Sequence, residues 1–182
     1  MKGPNQAGQA CALTVLTPIA SGEEPDLRTY LEGLRDRPDG SPLARLGRTH
    51  FGRWVIVPHF VRERGQRRED NLGGPYLLFT TCFDEPLDTY LDELCAELAP
   101  EAGEIWGRCI GCPADAAGAE LKRYLLHNQI KTGFFVAAYP DATVATVRAA
   151  LDTRDRMIAF ALRAQSLSPS ELRSAFAAEF PG

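Results

Sequence analysis

The sequence lacks a long hydrophobic run. Its N-terminal stretch contains one lysine and a short apolar segment, CALTVLTPIA, which threonine and proline interrupt. A membrane-spanning helix needs about 20 predominantly apolar residues in succession. A secretory leader needs a basic, an apolar and a small-residue region in that order. We therefore expect no membrane segment and a cytoplasmic location.

The cysteines and histidines lack the arrangement of a metal site. The five cysteines are scattered, Cys109 and Cys112 form a lone CxxC motif, and only three histidines occur. Structural zinc requires four ligands, which a second CxxC or an HxxxH pair would have to complete. The cysteines are also too sparse for a secreted disulfide scaffold. We predict mostly reduced thiols and no metal site, with a redox-active Cys109–Cys112 dithiol as the alternative.

An excess of basic charge is also absent. The 182 residues include 20 Lys and Arg against 24 Asp and Glu, which gives a formal net charge of −4. Such a chain has no long-range attraction for polyanions, so we expect no nucleic-acid partner. A composition of 45% hydrophobic and 24% charged residues is typical of a globular protein, and this length suffices for one sizeable core.

Two strands form the centre of the predicted fold. The runs THFGRWVIV and YLLFTTC are rich in β-branched and aromatic residues, and a polar segment with Gly and Pro joins them, which predicts a hairpin over residues 49–82. Alternation places His50 and Trp54 on one face and Phe51 and Arg53 on the other. Because both faces are substantially apolar, both need a cover, and we expect a dimer or a second helical layer.

The remaining segments alternate between strand and helix patterns. Before the hairpin we expect a strand over 11–19 and a helix from Pro25. After it we expect a helix with Asp84 as its N-cap, one or two helical turns at 101–108, a helix from Ala119 to near Asn128 and a strand over 132–139. The chain then continues with a long helix from Thr143 and a final helix capped by Ser168 or Ser170, and the long helix turns an apolar stripe toward the sheet, made of Val144, Val147, Leu151, Ile158 and Leu162. This order predicts an α+β, ferredoxin-like βαββαβ fold with a four-stranded antiparallel sheet and additional C-terminal helices.

Four strings of the sequence resemble a poorly characterised bacterial family of the dimeric α/β-barrel superfamily. They are THFGRWVIV, YLLFTTCFDEPLDTYLDEL, IWGRCIGCP and FFVAAYPDATVATVRAAL, and the resemblance covers roughly residues 13–162. That superfamily includes cofactor-independent and haem-degrading monooxygenases, chlorite dismutases and dye-decolourising peroxidases. The resemblance implies a ligand pocket beside the sheet, a homodimer formed through the sheet, and haem as a candidate cofactor. The Gly-x-x-Asp-Gly signature of the dye-decolourising peroxidases is absent.

The predicted organisation is one domain with short additions. We expect a disordered lead-in over residues 1–10, a ferredoxin-like α/β-barrel domain over 11–165 and a helical extension over 166–182. The segment between the hairpin strands carries interleaved charges from Arg62 to Asp70. It is predicted to be a solvated loop, with a lid over a pocket as the alternative.

His50 is the strongest candidate for catalysis. A histidine in mid-strand between aromatic neighbours could serve as a general base or as a haem ligand in an apolar pocket. The alternative is a structural histidine that is hydrogen-bonded to a neighbouring strand or helix, because a buried imidazole needs a partner. His59 is expected to be exposed, and His127 lies on the polar side of its predicted helix.

Four further residues complete the predicted site. Arg53 and Tyr139 would orient a polar group of a ligand in this site, although for Arg53 we favour an internal ion pair with Asp or Glu. Trp54 and Phe134 would line the ligand pocket, although aromatic residues in a core are the ordinary case. We therefore predict a small-molecule enzyme, an oxidoreductase acting on a hydrophobic or haem-like ligand. The alternative is a non-catalytic oligomeric binding or accessory protein.

Overall fold

The computed structural model of the chain describes residues 5–37, 40–59, 64–65, 72–84 and 86–180. The described residues form one antiparallel sheet and six α-helices, which confirms the α+β class and the four-stranded antiparallel sheet. The strands are β1 (Gln6–Ala7), β2 (Ala10–Pro18), β3 (Thr49–Val57) and β4 (Tyr76–Asp84). The helices are α1 (Glu24–Gly33), α2 (Leu87–Glu97), α3 (Ala99–Ile105), α4 (Gly118–His127), α5 (Val144–Ala164) and α6 (Pro169–Glu179).

The chain divides into two compact units, Met1–Val144 and Ala145–Gly182. The first unit holds the sheet and α1 to α4, and the second holds the helical pair of α5 and α6. The division lies earlier in the chain than the boundary at residue 165 that we expected for the C-terminal extension.

One face of the sheet is buried in the core of the first unit. Every second residue of β2 and β4 is buried on this side, in keeping with the period of a strand. The buried side chains include Leu13 and Val15 of β2, Leu77 and Phe79 of β4, and Leu27, Leu91, Leu94, Ile105, Leu121 and Leu125 of the helices. The apolar residues of α1, α2 and α4 thus face this core.

The opposite face of the sheet is more open. Leu16 and Leu78 are half-buried there, Val55 is exposed, and Phe51 is 77% exposed. β3 is an edge strand, since the sheet order is β1-β2-β4-β3. The expectation that both faces are apolar therefore agrees with the structure, while this second face retains exposed apolar side chains.

The fourth strand differs from the prediction. Residues 132–139 form no strand, and the edge position beside β2 is taken by β1, within the segment expected to be a disordered lead-in. Only Gln129 pairs with β2 near the predicted position, through an isolated bridge to Val15. The ferredoxin-like strand order is therefore not confirmed.

The edge of β2 is already occupied where a further strand would pair. Gln6 and Ala7 pair with the start of β2, and the amide of Ala12 donates to the carbonyl of Asn5 over 2.9 Å. Gly8 makes this turn with φ of +64°, and a side chain there would collide with Pro140. Because the N-terminal hairpin satisfies these backbone groups, the segment after residue 130 has no edge left to extend along.

The second unit has its own aromatic contacts. The ring of Phe160 lies 5.6 Å from that of Phe176 and 5.7 Å from that of Phe180. The predicted cap of the last helix is Ser168, which forms a capping box with Glu171. The predicted stripe of α5 is not buried beyond Val144, because Val147, Leu151, Ile158 and Leu162 are all exposed.

Candidate functional site

His50 sits in an irregularity of β3. Thr49 pairs with Phe83 and Phe51 pairs with Cys82, so His50 is an extra residue with no partner in the register. Such a bulge re-aims the side chain that it carries. Strict alternation predicted that His50 lies on the same face as Trp54. Instead, the Nε2 atom of His50 lies 2.8 Å from Oδ1 of Asp84, at the end of β4. Asp84 shares the parity of Thr80 and Cys82, whose side chains belong to the more open face.

Asp84 is a buried carboxylate with both oxygens engaged. The residue is 6% exposed. Oδ1 contacts His50, and Oδ2 accepts a hydrogen bond of 2.7 Å from the backbone amide of Val144. Asp84 was predicted to cap the following helix, but the N-cap of α2 is Pro86. The carboxylate instead fixes the imidazole of His50 and leaves Nδ1 as the nitrogen that Asp84 does not engage.

A shallow depression lies next to this pair on the open face of the sheet. It has a volume of about 390 Å³. We call it the β3–β4 depression, and its lining residues are Phe51, Gly52, Arg53, Thr80, Thr81 and Cys82. His50 directly precedes Phe51 in the chain, and Asp84 follows Cys82 by two residues. The depression thus combines an aromatic ring, a guanidinium, the Thr80 hydroxyl and a thiol beside an anchored histidine.

Arg53 supplies the positive charge of the depression. Its Nε donates to the Thr80 hydroxyl over 3.1 Å, and it forms no ion pair with any carboxylate in the described part of the chain. The internal ion pair that we favoured on the sequence is therefore not seen among these residues. A guanidinium presents five donors in a planar fork that suits carboxylate and phosphate groups. Arg53 can thus meet an anionic group of a ligand.

Cys82 places a thiol in the depression. Burial raises the pKa of this thiol, and the positive charge of Arg53 offsets part of the rise. A thiol with a raised pKa is mostly protonated near neutral pH, so it is a poor nucleophile. Cys82 therefore contributes contact surface in this site.

The structure does not bring the other predicted site residues to the depression. Trp54 points into the core, where its ring stacks on Phe79 at 5.2 Å and lies 6.3 Å from Trp106. Phe134 is 84% exposed and Tyr139 is 81% exposed, both in the segment that forms no strand. Of the five residues predicted, only His50 and Arg53 lie at or beside the depression.

The sequence reasoning missed Asp84, Thr80 and Cys82 as parts of the site. One signal could have found two of them, because in the hairpin register Thr80 pairs with Arg53 and Cys82 pairs with Phe51. Asp84 continues that parity to the strand's end. Its contact with His50 depends on the bulge, which the sequence pattern does not reveal.

Haem does not fit the predicted residues. His50 directs Nε2 at a carboxylate, Trp54 belongs to the core, and Phe134 lies in an exposed segment. These three side chains were predicted to bind the cofactor together, and they do not converge on one cavity.

The other candidate groups lie elsewhere. His59 and His127 are exposed, and Cys109 and Cys112 are not joined by a disulfide, with Cys109 buried and Cys112 half-buried. Among the described residues, no group of three His, Cys, Asp or Glu side chains could hold a metal ion. Within the same residues, no helix has the length and apolar character needed to cross a membrane. Apart from Arg64 and Gly65, the loop from Arg62 to Asp70 lies outside the described residues.

Comparisons with protein-family models, with curated proteins and with solved structures found no match to this chain. Membership of the dimeric α/β-barrel superfamily stays a prediction.

Proposed function

We propose that the chain is a small-molecule enzyme that binds a ligand with an apolar body and an anionic group in the β3–β4 depression. The observation that carries the proposal is the His50–Asp84 pair beside the exposed guanidinium of Arg53, which has no carboxylate partner among the described residues. A histidine oriented by a buried carboxylate is a recurrent general acid–base arrangement. Phe51 would contact the apolar body, and Arg53 would bind the anionic group.

The proposed chemistry is proton transfer at His50. Nδ1, the nitrogen that Asp84 does not engage, would accept a proton from the ligand, and Asp84 would stabilise the imidazolium that forms. Arg53 would stabilise the negative charge left on the ligand. The anion would then add dioxygen through a new C–O bond, and the imidazolium of His50 would return its proton to give a hydroperoxide of the ligand. The ligand is oxidised and dioxygen is reduced by two electrons, which is the reaction class of an oxidoreductase without a bound cofactor.

The proposed scaffold is a derivative of the ferredoxin-like fold. The long strands lie in the order β2-β4-β3, and α1 and α2 follow β2 and β4 in the chain, as in a split βαβ unit. In this view β1 has replaced the last strand at the edge. The same order supports kinship with the dimeric α/β-barrel superfamily.

The ligand site can be tested with 8-anilinonaphthalene-1-sulfonate, a fluorescent probe that has an aromatic body and a sulfonate. We expect Arg53→Gln to weaken binding of the probe about fivefold, because one partly solvated charge-assisted hydrogen bond contributes about 1 kcal/mol. The dissociation constant is measured by fluorescence titration at fixed ionic strength. Arg123→Gln is the matched control, since Arg123 is exposed on α4 and pairs with Glu120. An unchanged dissociation constant in Arg53→Gln, or an equal loss in the control, would refute the site.

We also propose that two copies associate through the open face of the sheet. Phe51 and Val55 are exposed there on an edge strand, and a second copy would cover them and enclose the depression. We expect wild-type protein to sediment as a dimer and Val55→Lys to raise the dimer dissociation constant at least about tenfold, because the interface would bury an unpaired charge. Val136→Lys, at an exposed valine outside the sheet, should leave the dimer intact. Monomeric wild-type protein would contradict the proposal.

The alternative function, a non-catalytic oligomeric binding or accessory protein, is favoured by the same exposed Phe51 and Val55. In that case the bond of His50 to β4 is only structural. Replacement of His50 would then change stability but no chemical activity, which separates the two functions.

A further inference from the structure

The CxxC motif forms a tight turn at the surface of the first unit. The amide of Cys112 donates to the carbonyl of Cys109 over 3.4 Å, and Gly111 has φ of +77°. This is a four-residue β-turn with a positive φ at its third position, where glycine is favoured. The first and last Cα atoms of a β-turn lie within about 7 Å, and disulfides form at Cα separations of about 4.4–6.8 Å. The turn therefore keeps the two Cα atoms within the separation that a disulfide can bridge.

Backbone contacts hold this turn on both sides. Ile110 donates to the carbonyl of Pro18 over 2.8 Å, and Cys109 forms an isolated bridge with Ile19. The Tyr124 hydroxyl donates to the carbonyl of Ile110 over 3.1 Å. Because the turn is anchored to β2 and α4, its backbone does not have to be ordered at the moment of reaction.

The two thiols differ in access. Cys109 is 5% exposed, and its sulfur accepts a hydrogen bond from the Thr17 hydroxyl at 3.4 Å. A disulfide sulfur can accept the same bond, so oxidation need not break this contact. Cys112 is half-buried and lies next to the exposed tip of the turn. An oxidant therefore reaches Cys112 first.

We propose that Cys109 and Cys112 are a reversible dithiol–disulfide site that reacts with low-molecular-weight disulfides such as oxidised glutathione. The Cys112 thiolate attacks one sulfur of oxidised glutathione, forms a mixed disulfide and releases one glutathione thiolate. The Cys109 thiolate then attacks the Cys112 sulfur, forms the intramolecular disulfide and releases the second glutathione. Two protons leave the protein, and its two electrons reduce the glutathione disulfide.

The exchange should be slow at neutral pH. Burial raises the pKa of Cys112 to about 11, with Cys109 adding to the rise, so only a small fraction of this thiol is ionised. The thiolate is the attacking species. The site is therefore suited to a sustained change in redox conditions rather than to rapid catalysis.

The test is a thiol-mapping experiment on the folded, full-length protein after incubation with oxidised glutathione. Trypsin cleaves after Arg108 and Lys122, so both cysteines fall in one peptide that contains no other cysteine. We expect this peptide to be lighter by two hydrogen atoms, in roughly tenfold excess over its glutathione adduct, because the neighbouring thiol resolves the adduct. Cys82, a half-buried cysteine outside the CxxC motif, should retain glutathione.

A variant and a reversal complete the test. Cys109→Ser should trap glutathione on Cys112, and circular dichroism checks that this variant is folded. Reduced glutathione in excess should restore both thiols in the wild-type protein. A persistent adduct on wild-type Cys112, or no modification of the pair when Cys82 is modified, would overturn the proposal even if Cys109→Ser failed to fold.

Discussion

Replacing Asp84 with alanine is expected to lower the free energy of unfolding by about 3 kcal/mol. The carboxylate is buried and bonds to both the His50 imidazole and the Val144 amide. Its loss would leave two polar groups without their acceptor, and each such group costs about 1–3 kcal/mol. Urea denaturation monitored by circular dichroism measures the effect.

One further substitution separates the hydrogen bonds of the carboxylate from its charge, and another serves as a control. Asp84→Asn keeps one carbonyl oxygen, so it can satisfy one of the two donors, and we expect a loss of about 1–2 kcal/mol. Asp115→Ala, at an exposed aspartate in a loop, is the control and should change stability by less than about 0.5 kcal/mol. If Asp84→Ala left the free energy of unfolding unchanged, this carboxylate would not hold the imidazole of His50. The proposed general base would then lose its support.

The spacing of apolar residues predicted the strands and helices that turn one face toward the core. β3 and β4 were placed within a few residues, and α2 and α4 were found because their apolar residues recur at helical spacing. In these segments the local pattern and the tertiary environment agree. Trp106 lies within the helical turns predicted at 101–108, and it is fully buried.

The strand expected over 132–139 had the right composition but no available edge. Its apolar and aromatic residues are typical of a strand, yet strand formation also needs backbone partners. β2 had already paired with residues from the N-terminus, whose polar composition predicted no structure. Pairing between segments far apart in sequence is a competition that single-segment patterns do not reveal.

Only part of the candidate site could be predicted, because strand alternation holds at Arg53 and fails at the bulge of His50. Arg53 was placed on its correct face by strand alternation. His50 was placed on the wrong face of the sheet. It is an extra residue in the ladder, and an extra residue breaks the strict alternation of side chains between the two faces. The partner of His50 was therefore missed together with its orientation.

Replacing Trp106 with alanine is expected to lower the free energy of unfolding by about 4 kcal/mol. Trp106 is fully buried at the end of α3, with its ring 5.5 Å from Phe79 and edge-on to it at 85°. Truncation of a buried tryptophan costs about 3–5 kcal/mol through lost burial and the cavity that remains. Trp106→Phe keeps an aromatic ring and removes an indole N–H that has no acceptor among the described residues, so a loss of about 1–2 kcal/mol is expected.

Phe134→Ala is the informative comparison, because the sequence placed Phe134 beside the other aromatic residues. Its side chain is exposed, so truncation should change the unfolding free energy by less than about 0.5 kcal/mol. Both variants are measured by urea denaturation at several protein concentrations. A loss at Phe134 that approaches the loss at Trp106 and grows with protein concentration would mean that a second copy buries Phe134. The interface would then extend beyond the sheet to residues 132–139, and Phe134 would return as a candidate wall of a site completed only in the dimer.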